Sequence, residues 1–424
     1  MMLNGRQRFD EAPEEQATVT TSMDRGLAAA HAVVIGGSIA GLTAARMLAG
    51  SFERVTIVER DQLPQNLEFR AGAPQARHAH MLLPRGQAIL EQQFPGLTEE
   101  LVQSGAVAVH PSRDVLVFED GDWFHPPSPS GQLSLACSRP LLEKVVRNRL
   151  KKDPRVQILE GTEVLGLKAD PQTRRVQGAT VRERGGSTSV QELPASLVLD
   201  ASGRASRAPQ WLRQLDFCPP QEWTINAFVG YTTRLYRYPK DFATDWKALH
   251  VRLSPPDHTR GGLIVPLEGD RWQVALVGIA RDHPPTDDEG FMAFAQSLAT
   301  PALYEAIAAA EPLTSPYGYR HTANRLRRYD RLPCYLEGFL VCGDAACTLN
   351  PVYALGMTAA VAGGPVLQRA LAQFAGSATL DGLAETFQRE LSRALTPYWR
   401  LATRNDWDWP ITEVEDNELY EELE

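Results

Sequence analysis

AVVIGGSIAGLTAARMLAG, residues 32–50, decides the fold. Ala32–Ile35 is an apolar run of the kind buried on both faces of a parallel sheet. Gly36 and Gly37 break it, and from Ile39 to Leu48 apolar and small residues recur at helical spacing. Strand, glycine turn and helix form the context in which a G-x-G-x-x-G pattern signals a dinucleotide-binding turn. Gly36 permits the tight turn, and Gly41 lets helix and strand pack closely. Ser38 stands where the middle glycine is expected. That position has only to let the backbone approach a pyrophosphate at the helix N-terminus, so a small side chain is tolerable. Its hydroxyl could donate to a phosphate oxygen. A second apolar run, RVTIVERD, ends in Glu59, eighteen residues beyond Gly41, where an acid would accept hydrogen bonds from a ribose diol. An ordinary α/β turn with a surface glutamate leaves this combination unexplained.

The 424-residue chain is long enough for two or three core-bearing units. Its 43% hydrophobic and 22% charged residues are those of a soluble globular protein. A net charge of −9 argues against nucleic acid or an anionic membrane as the main partner. No apolar run reaches the ~18 residues of a membrane span. The five cysteines (Cys137, Cys218, Cys334, Cys342 and Cys347) form no C-x-x-C pair. With no signal peptide in view, this predicts a cytoplasmic protein with free thiols and no bound metal. Residues 1–28 are polar and without apolar periodicity, which predicts a disordered extension, with Met23 a second candidate start.

The expected fold class is α/β (α+β): a discontinuous Rossmann-like domain with an inserted antiparallel-sheet substrate domain. The Rossmann-like parts are assigned to 29–110, 131–216 and 331–376. The substrate domain takes 217–330 plus a hairpin, 111–130, turning at Asp120-Gly121. WTINAFVGYTTRLYRY, WKALHVRL, GGLIVPLE and RWQVALVGIA read as four strands in series, a meander. CSRPLLEKVVRNRLKK reads as a helix capped by Ser138. GFLVCGD is a buried strand ending in Gly343-Asp344, where α/β sheets bind ligands. Residues 377–424 form a C-terminal helical tail with an acidic end.

Over roughly residues 30 to 410 the chain resembles the FAD-dependent monooxygenases of the para-hydroxybenzoate hydroxylase fold. It is most similar to bacterial natural-product epoxidases and hydroxylases such as those of polyether biosynthesis. The resemblance implies that Gly36, Ser38, Ile39 and Gly41 hold the FAD pyrophosphate, and that Glu59, with Arg60 beside it, holds the adenosine ribose. In RAGAPQARHAHMLLPRG, Arg70 would reach the cofactor phosphates or ribose; in SRPLLE, Arg139 would lie near the FAD. VLDASGRASRAP matches the D-G motif through Asp200 and Gly203. In CGDAACTLNPVYALGMT, which holds Gly343, Asp344 would bind the ribityl chain and Pro351 would lie along the ring. The amides of Gly356 and Met357 would face its N1/O2 edge as the catalytic groups. Relatives carry Gly-Gln where this chain has Ala354-Leu355. If that glycine has φ > 0, alanine is strained by ~1–2 kcal/mol.

By the same resemblance, reduced FAD and O₂ as co-substrate would give a flavin C4a-hydroperoxide that transfers one oxygen atom. NAD(P)H or a separate flavin reductase would be the electron source. The partner is expected to be a small apolar substrate (polyketide, terpenoid or aromatic), with no nucleic acid and no integral membrane segment. His78, Trp223, Phe228, Tyr231, Trp246 and Leu263 are the candidate pocket residues; core packing explains such aromatics equally well, and His78 and His80 also read as solvated loop histidines. Phenol hydroxylation needs a base near the substrate oxygen. Only Tyr231, Tyr236 and His250 offer one in the strands, which favours alkene epoxidation over aromatic hydroxylation. A halogenase, a prenyl-chain reductase and an FAD-binding protein without turnover are the further alternatives. DWDWPI has the wrong order and place for the halogenase W-x-W-x-I-P.

Overall fold

The structure, a computed structural model, describes residues 30–128, 133–186, 189–239, 244–377 and 379–415. The predicted disordered extension and the acidic C-terminal end lie outside the described residues. The first layer is a five-stranded, all-parallel sheet. Its order is Phe339–Val341, Leu197–Asp200, His31–Ile35, Arg54–Val58, Val156–Leu159. Ala32, Val33 and Val34 are fully buried, which is why that strand reads as an unbroken apolar run. The helix Ile39–Leu48 packs on the helix Gly356–Gln373, and this packs in turn on the C-terminal helix Leu383–Trp407. The Rossmann-like layer is therefore assembled from distant parts of the chain.

The second layer is a seven-stranded sheet. Its order is Tyr317–Tyr319, Gly230–Arg237, Arg271–Gly278, Arg260–Leu267, Ala248–Val251, Val115–Glu119, Asp122–Phe124. The hairpin at its edge turns through Asp120 (φ 51°) and Gly121 (φ 91°), both left-handed, as the Asp-Gly pair predicts. Side chains alternate along the strands. Tyr236, Ile264, Trp272, Val274 and Leu276 face outward onto the helices Asp288–Gln296 and Ala302–Ala308. Tyr231, Leu263 and Val277 face the other way, onto Val352 and Trp409.

The meander is corrected in two respects. The expected first strand, WTINAFVGYTTRLYRY, is two strands, and the first of them, Glu222–Asn226, belongs to a separate sheet with Asn324–Arg327, Cys347–Thr348 and Glu413–Val414. The chain leaves that sheet through Phe228, whose φ of 54° ends the extended run. Ala248–Val251, Arg260–Leu267 and Arg271–Gly278 do pair antiparallel in sequence order, as expected, but Gly230–Arg237 does not pair with the strand that follows it. Gly230–Arg237 pairs with Arg271–Gly278, and Ala248–Val251 runs parallel to Val115–Glu119. Alternation marks a strand as half-buried but does not name its neighbour. VQILEGTEVLGLKAD forms two strands, split at Gly161; the second, Thr162–Asp170, joins a three-stranded sheet with Arg175–Glu183 and Val190–Pro194.

Candidate cofactor and substrate site

Ile35, Val58, Asp200 and Val341 end neighbouring parallel strands on one edge of the first sheet, where ligands of such sheets bind. Gly36 has φ 103°, and a Cβ on Gly41 would stand 1.8 Å from the Gly36 carbonyl oxygen. Turn and helix are in direct backbone contact. Ser38 is the N-cap of the helix Ile39–Leu48, yet its side chain makes no capping bond. Its hydroxyl donates to Glu143 Oε1 (2.5 Å) and accepts from Arg139 Nη2 (2.9 Å). The expected phosphate donor is thus already tied to the helix Arg139–Leu150.

Glu59 is buried, and both its oxygens are in use. Oε2 accepts from the Gly37 amide (2.8 Å) and Oε1 from the Asp61 amide (2.9 Å). Arg70 reaches this acid at 3.0 Å and bridges it to Asp61 and Glu143, each at 3.3 Å. Arg139 Nε pairs with Glu143 at 2.8 Å. Burial alone would raise the Glu143 carboxyl, but Arg139, Arg70 and the Ser38 hydroxyl together hold it below its ordinary range. Glu143 was missed in the sequence, although its place four residues after Arg139 on a helix was a readable signal. Arg60 is exposed, and its side chain donates to the Gly72 carbonyl (3.2 Å).

Asp200 has its carboxylate closed off. It is fully buried, and its carboxylate accepts from Ser202 N (2.9 Å) and Ser206 Oγ (2.5 Å). These bonds brace the loop that carries Gly203. At Gly203 a Cβ would meet nothing within 4 Å. Gly343 (φ 60°) opens the turn that presents Asp344. Burial raises the Asp344 carboxyl, opposed by the positive charges of Arg139, Arg204 and Arg325.

The turn Pro351–Tyr353 ends at Ala354, with φ 54° and ψ 19°. The left-handed position anticipated from the Gly-to-Ala departure is there, and an alanine in it costs ~1–2 kcal/mol. Ala354→Gly should therefore raise the thermal unfolding midpoint; a lowered midpoint would show that this alanine is unstrained. Gly356 begins an 18-residue helix whose N-cap, Leu355, gives no side-chain cap bond. The first-turn amides have no partner within the helix, and a Cβ at Gly356 would meet nothing within 4 Å. These amides could receive the partial negative charge of a ligand. A glycine turn on a helix N-terminus, a buried acid at the second strand and an open helix N-terminus beyond Asp344 fit an FAD from adenosine end to ring.

Of the six pocket candidates, the structure brings three together. His78 Nδ1 lies 2.9 Å from Thr233 Oγ1, and its ring stands edge-on to Tyr231 at 4.5 Å. It is buried, not solvated: burial, then His80 and Arg77, lower it to about 3. His80 packs against the His78 carbonyl (2.8 Å), lowered to about 4 by burial and then Arg139. Tyr231 and Leu263 share a cluster with Val277, Tyr319, Val352 and Trp409. The other three do not join. Trp223 is core of the separate sheet, under the Arg328 guanidinium at 4.1 Å. Trp246 stacks on Trp272 on the outward face, and Phe228 lies under the exposed Arg281 at 3.7 Å. The sequence missed Tyr319 and Trp409; the DWDW stretch was the signal for the latter.

Residues 29–397 match the protein family described as FAD binding domain. The chain is 32% identical over 388 residues to Protein Rv3254 of Mycobacterium tuberculosis, covering 89% of this chain and 80% of that one. Among solved structures it is similar to pqsL, a probable FAD-dependent monooxygenase from Pseudomonas aeruginosa. There the TM-score is 0.67 and the identity 19%, over 89% of this chain and 96% of that one. It is equally similar in fold to the flavin-dependent brominase Bmp2, with a TM-score of 0.67 and 17% identity over 89% and 87% of the two chains.

Proposed function

We propose that this chain, which belongs to the FAD-binding-domain family, is a flavin-dependent monooxygenase that places one oxygen atom on an electron-rich carbon of an apolar small molecule, by alkene epoxidation. The observation that carries this reading is a largely apolar wall on which none of the three bases expected from the strands is usable. Tyr231, Leu263, Val277, Tyr319 and Val352 cluster beside the turn that leads to the Gly356 helix. Such a wall excludes water from the oxygen-transfer site. Bound FAD, once reduced, would supply the activation of O₂. The Gly356 and Met357 amides would balance negative charge on the ring, and Asp344 would hold the ribityl chain.

The three candidate bases fare poorly. Tyr236 points outward, its hydroxyl 3.7 Å from Met292 Sδ. Burial, then Tyr319, holds the Tyr231 phenol well above its ordinary value. Burial, then Arg252, lowers His250 to about 4. None is poised near neutrality to take a phenol's proton, which favours an alkene of a polyketide or terpenoid chain. Electrons would come from NAD(P)H or a separate reductase. With reductant and a candidate alkene, the product should gain one atom from ¹⁸O₂ and none from water. Incorporated bromide or chloride, or anaerobic reduction of the alkene, would overturn the assignment.

A further inference from the structure

Asp406, one residue from the end of the helix Leu383–Trp407, is completely buried. Its Oδ1 accepts from Tyr353 Oη (2.6 Å) and Asn350 Nδ2 (2.9 Å), and its Oδ2 accepts from Asn324 Nδ2 (2.6 Å). Both asparagines are oriented independently of it. Asn324 Oδ1 accepts from the Asn350 backbone amide (2.7 Å), and Asn350 Oδ1 from the Val352 amide (3.2 Å). Each can therefore offer Asp406 only its NH₂ group. Three donors from two other parts of the chain converge on one carboxylate, and no ion pair to it occurs among the described residues. A buried carboxylate is tolerated when hydrogen bonds satisfy it. Here they join the C-terminal helix to the strand Asn324–Arg327 and to the turn Pro351–Tyr353. That turn leads through the strained Ala354 to Gly356.

We propose that Asp406 is a positioning residue: it clamps the Asn350–Tyr353 turn and thereby sets the Gly356 and Met357 amides where a flavin ring needs them. The proposal rests on FAD binding and is independent of the oxygen-transfer reading. The groups facing Asp406 are Asn324, Asn350 and Tyr353, with the Thr412 hydroxyl on its carbonyl and Asp408 as the next charge acting on Tyr353. Burial raises Asp406 to about 7, opposed by the three donors. Two opposite pH trends follow. A carboxyl raised above its ordinary value stabilises the fold at low pH, and that contribution is lost as pH rises through about 7. The clamp holds best in the ionised form, because both asparagines offer only NH₂ groups and a proton on the carboxyl is accommodated only by turning the Tyr353 hydroxyl from donor to acceptor. FAD affinity should therefore increase as pH rises through about 7, while this group's share of apoprotein stability does not.

The test is FAD affinity by flavin fluorescence between pH 6 and 8, with the bound flavin's visible spectrum, for wild type, Asp406→Asn and Tyr353→Phe. Wild type should bind up to about tenfold more tightly at pH 8 than at pH 6, the limit for one proton with a midpoint near 7. Asp406→Asn should bind at least tenfold more weakly at pH 8 and lose that pH dependence. Tyr353→Phe, which keeps the carboxylate and both asparagines, should weaken binding less, retain the pH dependence and shift the spectrum. Asp344, whose carboxyl burial also raises, is the same in all three proteins, so its contribution cancels in the comparison. If Asp406→Asn fails to fold, Tyr353→Phe carries the test. Wild-type affinity, spectrum and pH profile in the variants would overturn the clamp and leave the oxygenase reading standing. Failure of the wild type itself to bind FAD would remove both.

Discussion

Gly41→Ala should destroy FAD binding and destabilise the protein by roughly 3 kcal/mol or more, at the upper end of overpacking substitutions. The added carbon would lie 1.8 Å from the Gly36 carbonyl oxygen and 3.0 Å from its carbonyl carbon. Both are backbone atoms, so no side-chain rotation relieves the clash. The helix Ile39–Leu48 must lift off the turn or the turn must open, and the buried strand His31–Ile35 resists both. Thermal unfolding and FAD retention on purification should fall together. A Gly41→Ala protein that is yellow and melts like the wild type would refute the close packing.

Gly356→Phe should have the opposite profile. A Cβ there meets nothing within 4 Å, and the residue is first in its helix, where side-chain choice matters little to helix stability. The apoprotein should melt within a degree or two of wild type. FAD affinity should fall at least a hundredfold, about 2.7 kcal/mol or more, because the ring would occupy the space in front of the first-turn amides. Gly356→Ala, a single methyl, should lose far less. Equal FAD affinity in Gly356→Phe and wild type would place the flavin ring elsewhere. The pair separates two uses of glycine, one made by the protein's own backbone and one by a ligand.

The glycine turn was legible because strand, turn and helix are local and each leaves its mark on residue type. Ala354 was legible for the same reason: one backbone angle decides it. What escaped were facts about which side of a surface a residue takes. Trp223 is an aromatic residue in a strand, as Tyr231 is, and Trp246 lies just before one, but they belong to another sheet and to the far face. Asp200 lies in a motif that suggests a ligand contact, yet two serines within six residues close its carboxylate. Asp406 had no local signal, since its partners lie 53 to 82 residues away.

The order of strands in the parallel sheet also has a consequence in time. Leu197–Asp200 pairs on one side with His31–Ile35 and on the other with Phe339–Val341. A ribosome adding 5–20 residues per second takes on the order of ten seconds to pass from one strand to the other. For that interval the growing sheet has a bare apolar edge, a template for unwanted pairing. The Gly356 helix and Asp406 emerge later still. With FAD placed as proposed, the nascent chain would acquire the adenosine end of the site long before the ring end, and cofactor loading would belong to the last moments of synthesis or to the released protein.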